Sequence, residues 1–204
     1  MCSRPATRSV SSVTDIRELH RRAADTFDRR VQKVAGDQWS GPTPCSEWDV
    51  RTLVNHLVYE NRWAVDLAAG KTIAEVGDRY EGDLLGDDPK GAWQDSRQAC
   101  AAAFAPDDVL DRTVHLSFGD FPGSEYLGQL TTDLVIHGWD LAKGIGDDDE
   151  LDPELVSFVW DLWKPREEMV RQSGVFGAQV DVPEDADQQT KVLALLGRRR
   201  DWSA

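Results

Sequence analysis

Apolar positions return at steps of three and four along most of this chain, the period of a helix that turns one face to a core. After Thr14, the residues Ile16, Leu19, Ala23, Phe27 and Val31 follow that spacing, which predicts a first helix from a Thr14 cap to about Ala35, ended by Gly36. Residues 39–47, W-S-G-P-T-P-C-S-E, hold two prolines among polar residues and read as a loop. A second helix is predicted from near Trp48. Its apolar stripe runs through Val50, Leu53, Val54, Leu57, Val58, Asn61, Ala64, Val65 and Ala68.

Residues 70–90 lose the period. Gly77, Gly82, Gly86, Asp87, Asp88 and Pro89 mark a long acidic connection, the least ordered internal stretch to be expected. An alanine-rich third helix is predicted over Ala92–Phe104, stopped by Pro106. The alternation from Thr113 to Leu116, followed by G-D-F-P-G at 119–123, suggests a short strand or hairpin. From Ser124 the helical period resumes through Leu127, Leu130, Leu134, Ile136, His137, Leu141 and Ala142 to about Gly144. A further helix is expected over Pro153–Val170. A last apolar segment, Ala186–Leu196, follows a loop around Gly174, Gly177 and Pro183, and Arg198, Arg199 and Arg200 come after it. Four long helices with one long connection predict a mainly α bundle, an architecture that builds metal sites from side chains on facing helices. Residues 1–12 read as a flexible tail and 13–204 as a single domain, because no linker-like stretch divides them.

Composition narrows the function. The 37 acidic against 23 basic residues give a formal charge of −14, which repels phosphate backbones and anionic lipid, so nucleic acid and membrane are not expected partners. No stretch approaches the ~20 apolar residues of a membrane helix, and no signal peptide is apparent. Cys2, Cys45 and Cys100 are too few and too scattered for a disulfide framework, so a reducing cytoplasm is the expected compartment. Nucleotide-binding glycine loops, the serine-hydrolase elbow and the H-E-x-x-H zincin motif are all missing from the sequence.

Two of the four histidines, His56 and His137, fall inside strongly apolar helices. A buried imidazole needs a partner, because burial strips it of its water hydrogen bonds. One backbone or carboxylate hydrogen bond would satisfy a lone helical histidine. Asp133 stands four residues before His137 and so on the same helical face, where the pair could point at one ion or bond only to each other. With His56 they make a two-histidine, one-carboxylate set, the kind used by open catalytic metal sites.

The blocks C-S-E-W-D-V-R-T-L-V-N-H-L (Cys45–Leu57) and D-L-V-I-H-G-W-D-L-A-K-G-I-G (Asp133–Gly146) resemble the DinB/YfiT-like superfamily. They are most similar to its actinobacterial group, which contains the metal-binding domain of mycothiol-dependent maleylpyruvate isomerase. The similarity spans roughly Ile16–Leu196 and implies a DinB-like four-helix bundle with additional short helices and a short β-hairpin. It places the family's metal ligands on His56, Asp133 and His137, with Asp133 where the isomerase carries the longer Glu. It implies a divalent ion, zinc by default with nickel or iron as alternatives, and a low-molecular-weight thiol cofactor: mycothiol, or elsewhere in the superfamily bacillithiol or glutathione. The expected partners are that thiol and a small electrophile, with a homodimer as the expected assembly.

The function so implied is metal activation of the thiol for transfer to, or isomerisation of, the electrophile; whether the chain is an enzyme at all stays open. The alternatives are a non-catalytic metal-binding dimeric protein and a bundle in which the three residues form only a hydrogen-bond network. No catalytic or thiol-binding residue is assigned. Glu60 reads as a neighbour of the ligand set or a surface acid, and the Trp139-Asp140 pair either as orienting the ligand helix or, preferred here, as local packing and capping. Cys45 reads as an inert packing residue, Arg198–Arg200 as a solvated helix end, and His20 and His115 as surface or locally bonded residues.

Overall fold

The computed structural model describes residues 14–173 and 176–204; the expected tail at 1–12 and Gly174 of the expected loop lie outside them. The chain is mainly helical, with a single two-stranded sheet among the described residues. Helix α1 covers Ile16–Lys33 and is capped by Asp15, whose carboxylate accepts from the Arg17 amide; Thr14 instead donates to Glu154. Helix α2, Val50–Ala68, starts on Asp49 in the same manner. The acidic connection is more structured than expected. It carries a one-turn helix α3, Ile73–Val76, closed by a reciprocal capping box between Thr72 and Glu75. It is also tied to α2, because Arg51 pairs with Asp83 and Asn55 bonds the backbone of Gly82 and Leu84.

Helix α4, Pro89–Ala103, begins with Asp88 as cap and Pro89 in its first turn, where proline's missing N–H costs nothing. Strands β1, Thr113–Leu116, and β2, Gly119–Pro122, form the expected antiparallel hairpin. Helix α5, Gly123–Ile145, follows at once and ends at Gly146 in the left-handed conformation (φ +70°). The helix expected over Pro153–Val170 is broken. Helix α6 covers Pro153–Trp163, a 3-10 turn covers Lys164–Arg166, and α7 covers Glu167–Ser173. Pro165 explains the break, since its ring cannot donate to the carbonyl one turn back. Helix α8, Gln188–Leu195, is the last element.

The long helices form a four-membered ring in cross-section. Helices α1 and α2 each pack against both α4 and α5, so α5 touches two neighbours along its length. Most of α5 is accordingly buried, including polar Thr131, Thr132, His137 and Asp140. Phe27, Leu53, Trp93, Trp139 and Leu193 are among the fully buried side chains that fill the ring, and the Phe27 and Trp93 rings meet at 4.6 Å. A second apolar cluster, with Leu67, Cys100, Phe104, Val114 and Leu127, fills the end near the hairpin. Helix α8 packs against α6, and Val192, Leu193 and Leu196 join the main core. No described helix is long and apolar enough to cross a membrane.

Candidate metal centre

The bundle brings two of the residues singled out in the sequence, His56 and Asp133, face to face, with the His137 ring beside that of His56. His56 projects from the middle of α2, and Asp133 and His137 lie one turn apart on α5. His56 Nε2 is 3.8 Å from Asp133 Oδ2, and the His56 and His137 rings lie 5.1 Å apart, edge to face. A separation of 3.8 Å is too long for a hydrogen bond but close to the spacing of two ligand atoms that each sit about 2 Å from one ion. The indole of Trp48, in the loop before α2, stands against both imidazoles, with ring centroids 4.7 Å from His56 and 5.4 Å from His137.

Charge favours a cation here. Burial pushes the Asp133 carboxyl up, yet the neighbouring imidazoles of His56 and His137 outweigh it and hold the group below its usual range. Burial likewise lowers His56, but Asp133 and then Glu60 outweigh it and raise its pKa. Glu60, one turn along α2, is pushed up to about 7 by burial and by the nearby Asp133 charge, with His56 pulling the other way. Asp133 is thus the ionised carboxylate set beside two imidazoles, while Glu60 is favoured in its neutral form. A bound divalent ion would supply the positive charge this arrangement attracts.

Behind His137 lies a second layer. Its Nδ1 is 3.0 Å from Asp140 Oδ2, one turn along α5. Asp140 is fully buried; burial raises its carboxyl, but His137 and Arg198 more than offset this and hold it low. Arg198 Nη2 donates to Asp140 Oδ2 at 2.9 Å and to Cys45 Sγ at 2.9 Å, while its Nη1 donates to the Leu196 carbonyl. The Cys45 thiol donates to Asp140 and is pushed up to about 12, by burial first and then by the Asp140 charge. Among the described residues, the set whose ligand atoms all lie within 4.8 Å of one another is Cys45, His137 and Asp140, whereas His56 and Asp133 meet each other at 3.8 Å with His137 outside that span. The guanidinium already occupies the electrostatic role of a cation there, so these three form a hydrogen-bonded support, while His56 and Asp133 are the more open side chains.

Three sequence readings change. Arg198 is only 9% exposed and belongs to the site's support, not to a solvated helix end. Asp140 orients His137, beyond any local capping role. Cys45 is not inert packing, since its thiol is bonded into the same network. The signal for Asp140 was present in its i+3 spacing to His137; for Arg198 it was Gly197, which turns the chain inward. His20 is also buried, its Nδ1 3.3 Å from Thr131 Oγ1 and its Nε2 3.9 Å from Cys100 Sγ, whereas the half-buried His115 bonds locally to Asp120.

Residues 20–142 match the family described as the mycothiol maleylpyruvate isomerase N-terminal domain. Two uncharacterized proteins from two strains of Mycobacterium tuberculosis are each 36% identical over 140 residues, 67% of this chain and 70% of theirs. The fold is similar to the crystal structure of the mycothiol-dependent maleylpyruvate isomerase, with a TM-score of 0.66 at 15% identity over 91% of this chain and 89% of that one. A histidine-to-alanine mutant of that isomerase gives 0.60 at 14% identity, over 78% and 69%.

Proposed function

Because the chain belongs to the mycothiol maleylpyruvate isomerase N-terminal domain family, we propose that it binds one divalent ion through His56, Asp133 and His137. We further propose that this site activates a low-molecular-weight thiol, mycothiol, for transfer to or isomerisation of a small electrophile. The observation that carries the reading is the convergence of His56 and Asp133 to 3.8 Å beside His137, from two different helices. Zinc suits two imidazoles and a carboxylate with a position left for a further ligand.

When bound, such an ion favours the thiolate, which is the nucleophilic form of a thiol. The protein's own residues set the conditions. Asp140 accepts from His137 Nδ1 and so leaves Nε2 as the ligating nitrogen. Trp48 lies against both imidazoles and restricts how they can turn. The Asp133 side chain is 30% exposed and that of His56 is 23%, against 9% for His137, so a thiol would approach from the Asp133 and His56 side. Arg198 neutralises Asp140, so the negative charge left facing the ion comes from Asp133.

Elemental analysis of the purified protein beside His56→Ala and His137→Ala tests the site. About one equivalent of zinc in the wild type and little in either variant is expected; wild type that neither carries nor takes up zinc, nickel or iron overturns the reading. Thiol consumption with mycothiol and maleylpyruvate then tests the activity. Metal bound with no consumption of any thiol and electrophile pair would leave a metal-binding protein without catalysis.

A further inference from the structure

The C-terminal segment enters the bundle by a defined turn. Helix α8 ends at Leu195, and Gly197 follows in the left-handed conformation with φ +79°. The Gly197 amide donates to the Ala194 carbonyl and the Arg198 amide to the Leu193 carbonyl at 2.7 Å, the paired bonds of a Schellman motif. A side chain at 197 would be doubly disfavoured. Its Cβ would fall 2.5 Å from the Gly177 backbone, so glycine is required by space as well as by φ. The turn reverses the chain and sends Arg198 inward, while exposed Arg199 pairs with Asp201 and Arg200 with Asp149 and Glu150.

Burying a guanidinium is costly unless its donors find partners. Those of Arg198 are used on Asp140, Cys45 and the Leu196 carbonyl. Asp140 in turn bonds His137 Nδ1. We infer that Arg198 is a positioning residue of the metal centre: its hydrogen bonds fix the orientation of the Asp140 carboxylate, and Asp140 holds His137 as the Nδ1–H tautomer with Nε2 aimed at the ion. The inference rests on the proposed site and adds to it that a residue 61 positions beyond His137 sets that ligand's tautomer and ring angle. Without Arg198, Asp140 would be a buried carboxylate with one fewer cationic partner. Its carboxylate would no longer be fixed by the Arg198 donors and could turn away, so that His137 would lose its oriented acceptor.

The first arm uses metal-free protein labelled with 15N at histidine, of which the chain has four. Long-range 1H–15N correlation of the imidazoles, with His137 assigned by its loss in His137→Gln, reads the tautomer directly. His137 protonated at Nδ1 is expected; protonation at Nε2 alone overturns the inference, and this arm needs no Arg198 variant to fold. The second arm measures zinc affinity by competition with a chromophoric chelator, for wild type, Arg198→Ala and Cys45→Ser, with far-UV circular dichroism as the folding control. Arg198→Ala is expected to bind zinc roughly 10–100-fold more weakly, the usual cost of losing a group that orients a ligand. Equal affinity in wild type and Arg198→Ala overturns the inference and leaves the metal site standing. Tighter binding in Arg198→Ala with weaker binding in Cys45→Ser overturns it too, because the ion would then sit among Cys45, His137 and Asp140. A wild type that binds no zinc instead strikes at the proposed function, while the tautomer still decides whether the relay exists.

Discussion

At the scale of single residues, the buried histidine outside the site makes the clearest claim. His20 is held at about 4, by burial and secondarily by the Arg97 charge, against 6.5 when free. A group whose folded pKa is depressed binds its proton first in the unfolded chain, so its full contribution is present above about 6.5 and is lost as pH falls from there toward 4. The shift corresponds to about 3 kcal/mol at most. Urea unfolding of wild type and His20→Leu at pH 7.5 and pH 4.5 should show the wild type losing more stability than the variant on acidification; equal losses would refute this. The two described thiols make a second claim. Cys45 and Cys100 are each pushed up to about 12, Cys100 by burial alone. In a Cys2→Ser background, native protein should react with Ellman's reagent at pH 8 far more slowly than urea-unfolded protein, where thiols sit near their ordinary ~8.5. Rapid labelling of native Cys45 would mean that Arg198 activates the thiolate instead of serving Asp140. Neither behaviour was legible in the sequence. A histidine among Arg17, Arg21 and Arg22 looks exposed until the fold sets it against Thr131.

At the scale of elements, legibility tracks how far one local rule decides the outcome. The stripes of α1, α2 and α5 are long and interrupted by no proline, so their period alone places them, and with them His56, Asp133 and His137 on facing surfaces. The strand alternation and the glycines around it likewise mark the hairpin. Where rules compete, reading fails: apolar periodicity carries past Trp163, but Pro165 turns the next residues into a 3-10 segment. In the acidic connection, composition suggests a loose loop, yet a local capping box and the Arg51–Asp83 pair give it structure. The junction of α4 with α1 yields a prediction at this scale. Trp93 is fully buried, packs against the tilted Phe27 ring at 4.6 Å, and donates its indole N–H to Asp28. Trp93→Ala removes that packing and leaves a cavity, so denaturant unfolding should show a loss of about 3–5 kcal/mol. A loss below about 1 kcal/mol would mean that α4 repacks freely against α1.

For the whole molecule, the site joins parts of the chain that share little local sequence. His56 comes from α2 and Asp133, His137 and Asp140 from α5, while Arg198 arrives from beyond α8. The ligand helices could be paired from periodicity because each buries a continuous stripe. The support from the C-terminal segment could not, since it depends on a turn at Gly197 that only three-dimensional packing aims. On the proposed site, metal binding becomes a stability term for the entire bundle. An ion held by α2 and α5 would bind the folded state and find no preformed site in the unfolded chain, so its binding free energy would add to folding. At free zinc about 100 times the dissociation constant the gain is about 2.7 kcal/mol. For a domain of this size that raises the melting temperature by on the order of 5–10 °C. Thermal unfolding with and without zinc should show that rise in wild type, its removal by a chelator, and its near absence in His56→Ala. A rise of equal size in His56→Ala would place the ion elsewhere, on the acidic surface that the net charge of −14 provides. A smaller rise in Arg198→Ala than in wild type, at the same zinc concentration, would show the same support acting on stability, because a weaker site contributes less to the folded state.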